Sequence, residues 1–179
     1  MTRARSPRPT RAPAFAAVAL FATACGPGTF ADIQGTVAGG GFSPEAYYWG
    51  GPYLVFTTSS AACEDMAWVK RGPTYETGMS EDEGAPPLDT DMSVLLFTYS
   101  ETDVSKGNVS LDLPSPVDVR LLVVDGGAVT VHKGSTGALV IDEIEKEGNA
   151  LGTLDVGFDD GSLSGDFEVE WCTNLRAKY

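Results

Sequence analysis

The segment Leu163-Ser-Gly-Asp-Phe-Glu-Val-Glu-Trp171 constrains the fold more than any other. Leu163, Phe167, Val169 and Trp171 share one side of a period-two pattern with Gly165, while Ser164, Asp166, Glu168 and Glu170 share the other. Only an extended chain sorts residues this way, so the segment predicts a strand with one dry and one wet face. Val109-Ser-Leu-Asp-Leu113 and Leu154-Asp-Val-Gly-Phe158 alternate in the same manner. Met92–Tyr99, Val117–Val124 and Tyr53–Thr58 are different: β-branched and aromatic residues occupy both sides. Such runs read as central strands, or as strands covered on both faces.

The punctuation between these segments is glycine-rich. Asp125-Gly126-Gly127, Lys133-Gly134-Ser135, Glu147-Gly148-Asn149 and Asp160-Gly161 separate successive strand signals. Glycine reaches the positive φ angles that tight hairpin turns require. Four short-loop hairpins in a row are therefore expected, forming one continuous C-terminal meander. The predicted fold is mostly β: an antiparallel meander of eight to ten strands making a β-sandwich or a small barrel, with one short helix. The helix is expected from Ser59 to Gly72. Cap-type serines open that segment, Glu64 and Asp65 lie near its start, Lys70 and Arg71 near its end, and Gly72-Pro73 stops it. Residues 73–91 read as a long irregular loop. Its carboxylates, with Asp89 and Asp91 flanking Thr90, suit a hard cation such as Ca²⁺ in kind but not in EF-hand spacing, and a solvated acidic loop is the favoured reading.

The first residues read as an address. Arg3, Arg5, Arg8 and Arg11 precede the apolar run Ala14–Ala22, and small residues Ala22-Thr23-Ala24 lead to Cys25. A basic, then apolar, then small order marks an export signal. The stretch Ala22-Thr23-Ala24-Cys25 resembles the lipobox of bacterial lipoproteins. That resemblance implies cleavage before Cys25, lipidation of Cys25 and, with Gly26 following, anchoring in the outer membrane. Ordinary secretory cleavage after Ala24 is the competing reading. The expected organisation is a signal peptide at 1–24, a lipidated Cys25 with a short tether at 25–30, and a single β-rich domain at 31–179.

Cysteine arithmetic agrees with this. The chain has three cysteines. Using Cys25 for lipid leaves Cys63 and Cys172, which an oxidising compartment favours joining as a disulfide. Cys172 follows Trp171 and so leans toward the polar side of its strand. The helix carrying Cys63 then has to cover that side or the strand end.

Charge narrows the partners. The 179 residues hold 12 Lys+Arg against 25 Asp+Glu, a formal charge of −13. Removing four of the twelve cations with the leader, and none of the acids, leaves −17. Nucleic acid is excluded as a partner class, because its binding needs clustered cations. The membrane is reached through the N-terminal lipid, and no protein or small-molecule partner can be named.

No chemistry is assembled by motif. The sequence contains no Gly-x-Ser-x-Gly elbow, P-loop or dinucleotide fingerprint. No cofactor, metal or catalytic residue is assigned, and the reading is non-enzymatic. His132 is the single histidine and is expected beside Thr130 on the polar face of its strand, opposite Val129 and Val131. A hydrolase using His132 is the least favoured function. Tyr47, Tyr48 and Trp49, set among glycines, offer a tentative binding surface, with core packing the preferred account. The leading function is a lipid-anchored envelope protein whose β-domain binds or supports. The alternative is a lipocalin-like carrier of a small apolar ligand. The usual Gly-x-Trp of lipocalins is here Gly35-Thr36-Val37.

Overall fold

The computed structural model describes residues 29–71 and 90–176. Cys25, the leader and most of the acidic 73–91 loop lie outside the described residues. Eleven strands form one sheet, curled on itself into an open half-barrel whose two halves pack as layers. The first half runs β6 (Gly107–Ser110), β9 (Thr136–Ile144), β10 (Ala150–Phe158), β11 (Gly161–Trp171), β1 (Phe30–Val37) and β2 (Gly40–Gly41). The second runs β3 (Ala46–Gly50), β4 (Tyr53–Thr57), β5 (Met92–Tyr99), β7 (Val117–Asp125) and β8 (Ala128–Gly134).

Strand β11 joins the halves. Gly161–Val169 pairs antiparallel with β10, and Gly161–Glu168 pairs antiparallel with β1 along the other edge. Glu170 and Trp171 then pair parallel with Tyr48 and Trp49 of β3. The alternation of this strand is as predicted. Leu163, Phe167 and Val169 are fully buried, while Ser164, Asp166 and Glu170 are exposed.

The continuous meander breaks once. Asp125-Gly126-Gly127-Ala128 closes β7 onto β8, with φ of 55° at Gly126 and 81° at Gly127, the pair of positive angles a two-residue hairpin needs. The turns around Glu147 and Asp160 close β9–β10 and β10–β11. At Gly134-Ser135, however, the chain crosses from the second half to the first, and β8 does not pair with β9. Ser135 N–H donates instead to Gly157 O at 2.9 Å. Gly134 is required by close approach, since a Cβ there would meet Val156 Cγ1 at 2.8 Å and Val119 Cβ at 3.0 Å.

Two apolar layers result. The first fills the space between the halves and includes Phe56, Phe97 and Phe167, all fully buried. Phe56 meets Phe97 and Phe167 edge-on at 6.3 and 5.3 Å. The second covers the outer face of β3–β8: Val55, Val94, Leu96, Leu122 and Val124 pack beneath Met66, Trp68 and Val69. Sheet strands buried on both faces explain the two-sided apolar runs in Met92–Tyr99 and Val117–Val124.

The predicted helix is present but tighter and shorter than its sequence boundaries. It is a 3-10 helix over Cys63–Arg71. Ser59 and Ser60 lie before it, and the Ala62 N–H donates to the Asp65 carboxylate at 3.2 Å. Three residues per turn stack positions i and i+3, so Cys63, Met66 and Val69 descend in one line onto the second layer. Cys63 is joined to Cys172, with the Cα atoms 5.6 Å apart. Cys172 is fully buried. The orientation puzzle is resolved by β11 changing partners: the side that is wet in the first half continues as the covered outer face of the second.

Candidate functional site

The three aromatics weighed as a binding surface are built into the packing. Trp49 is buried, donates its indole N–H to Gly148 O at 2.9 Å and meets Trp171 edge-on at 4.6 Å. Tyr48 is buried and its hydroxyl donates to Ala61 O at 2.9 Å. Burial first, then Glu170, Glu64 and Asp65 nearby, hold its phenol above the usual tyrosine range. Tyr47 is half-buried, with its hydroxyl on Thr29 O at 2.9 Å. Each polar tip has a partner inside the domain, and the rings of Tyr48 and Trp49 are packed within it.

His132 shares a face of β8 with Thr130, opposite Val129 and Val131, as the alternation predicts, but it is half-buried. Val129 and Val131 belong to the outer covered layer, so Thr130 and His132 point toward the space between the halves. The polar face of β8 is thus an inward one, because the helix has taken the other side. His132 Nδ1 lies 3.6 Å from Asp160 Oδ2, across the gap between β8 and the β10–β11 turn. That contact closes one side of a shallow cleft lined by Val131, His132, Lys133, Asp159 and Asp160.

On the other side of the imidazole a half-open groove of about 290 Å³ lies at the Val37 end of the sandwich. Its apolar wall is Val37, Phe42, Leu121 and Val123, and its polar groups come from Ser93, Asp125, Thr130 and His132. Its cause is local. The inner face of the second half extends past the core here, and among the described residues the element that covers it is the β1–β2 hairpin, whose tip Ala38–Gly41 carries almost no side chain. The alternation in Val117–Asp125 is the signal that could have found it, because it places Leu121, Val123 and Asp125 on one side. Ser93, Phe42 and Asp160 come from distant segments and carry no such mark.

Asp91, a member of the acidic loop, accepts the Gly126 N–H at 2.9 Å and so ties the β7–β8 turn. Among the described residues, no group of three or more His, Cys, Asp or Glu side chains is placed to hold a metal ion. No helix among them is long and apolar enough to cross a membrane. No family model, curated protein or solved structure matches the chain.

Proposed function

We propose that this chain is an exported, lipid-anchored envelope protein whose β-domain is a non-enzymatic binding module. The observation that carries the reading is the Cys63–Cys172 cross-link, buried at its Cys172 end. Disulfides persist in oxidising compartments, and this one leaves Cys25 as the odd thiol at the place where the leader resembles a lipobox. The first strand begins at Phe30, five positions after Cys25, so an acylated Cys25 holds the domain within roughly 18 Å of the bilayer surface. Two or more acyl chains on one cysteine anchor stably, at about 0.8 kcal/mol per buried methylene.

The mass of the protein extracted from its own membrane tests this. A chain beginning at Cys25 with added acyl mass is the expected result. A chain that retains residues 1–24, or begins at an unmodified Cys25, overturns the anchor. The carrier reading draws on the curl of the sheet, but phenyl rings occupy the space between the halves. Room for a ligand is at the end of the sandwich, and a binding module is the better description.

A further inference from the structure

We propose that the groove at the Val37 end is a binding site for a small organic cation with an apolar body. The inference deepens the binding role proposed above and is independent of the lipid anchor. The size comes first: about 290 Å³ is at the bottom of the range for small-molecule sites and leaves no room for a folded partner. One wall is apolar, from Val37, Phe42, Leu121 and Val123, and suits a short hydrocarbon or phenyl group.

The rim then selects charge. Asp125 is exposed at the groove, and among the described residues no ion pair holds its carboxylate. Among the described residues, no lysine or arginine lines the groove. Among the described residues the ionisable nitrogen there belongs to His132, whose Nδ1 is turned toward Asp160. The hydroxyls of Ser93 and Thr130 add acceptors for an ammonium N–H. An anion entering this groove meets Asp125 and the field of a chain at −13, whereas a cation is drawn in by both.

The hairpin tip supplies a separate argument. A Cβ at Gly41 would meet nothing within 4 Å, and one at Gly40 only the Val37 carbonyl at 3.5 Å. Neither has a positive φ. Backbone geometry therefore does not demand glycine at these two groove-lining positions. Gly40 pairs with Val37 and shares its inward face, so its lack of a side chain leaves the groove open.

The chain's single histidine makes the test direct, since its imidazole Hε1 resonance needs no assignment. Full-length protein from its own membrane is titrated at fixed pH with phenethylamine, and separately with 3-phenylpropionate. The expected result is a saturable shift of the His132 signal with the amine, and binding about tenfold weaker or absent with the carboxylate. Asp125→Asn weakens the amine by about fivefold or more, and Gly40→Trp abolishes it with the melting temperature unchanged. Gly40→Leu serves the same purpose should the larger residue disturb the hairpin. A linear, unsaturable drift, or equal response to both compounds, overturns the proposal. A saturable titration on protein whose Cys25 proves unmodified removes the anchor and leaves the groove. A flat titration on acylated protein does the reverse.

Discussion

The two halves of the sheet solve burial differently. The first half has one dry face and one wet face, and β10 and β11 alternate accordingly. The second half has two dry faces, one against its partner half and one beneath a nine-residue 3-10 helix. The inner face is covered by six strands, each supported by backbone pairing. The outer face is covered by a short helix, one 3-10 turn at Thr173–Leu175 and a cross-link. Runs of 3-10 helix this long are uncommon because their hydrogen bonds are poorly aligned. The outer cover therefore depends on its packing and its disulfide far more than the inner one does.

Four measurements break or sharpen this contrast. Phe56→Ala removes a ring from the centre of the inner layer and should cost about 3–5 kcal/mol in urea unfolding. A loss under 1 kcal/mol would mean that the inner layer does not dominate. Replacing Cys63 and Cys172 together with serine should cost about 2–5 kcal/mol. The same variant should make Trp68 accessible to a fluorescence quencher, with Trp68→Phe as the subtraction control. Unchanged quenching would show that the helix stays docked without its bond.

Tyr99 gives a smaller effect of opposite sign. Its hydroxyl is buried in the inner layer without a hydrogen-bond partner among the described residues. Burial pushes its phenol up to about 12. The unfolded chain ionises near pH 10, so the unfolded state loses its proton first. Stability is then undiminished below pH 10 and falls as the pH rises from 10 to about 12. Tyr99→Phe should raise stability at neutral pH by about 1 kcal/mol and should remove that alkaline loss. An unaltered alkaline profile would assign the loss to another group. Last, Ser164→Ala on the wet face of β11 should change stability by less than about 0.5 kcal/mol. A larger change would show that this face is covered in the native protein.

The sequence made the strands legible because each face leaves a periodic mark. The helix was visible through its charges and its Gly-Pro stop, but not its tight pitch, which comes from the need to line Cys63, Met66 and Val69 over one surface. The crossing at Gly134-Ser135 reads as a turn in sequence, because a glycine forced by the neighbouring Val156 looks the same there as a glycine that turns. The inward orientation of Thr130 and His132 was hidden for a related reason. Alternation tells which residues share a face of β8 but not which face the helix will claim. The groove was legible only in part: it is assembled from five strands, and the gap at its wall is an absence of side chains.

The double role of β11 has a consequence for how the chain is made. Synthesis delivers the N-terminal segments first. Yet β1 pairs only with β11 and the two-residue β2, and β3 gains its second neighbour only at Glu170-Trp171. For most of the time the chain takes to emerge, two of its earliest strands present unpaired backbone, the condition that invites association between chains. The last strand seats both at once, and Cys172, arriving directly behind it, can then meet Cys63. Truncation even slightly before Gly161 should therefore leave an aggregation-prone chain and not a smaller sandwich. In the cell, the ribosome must deliver nearly everything before any of it is safe.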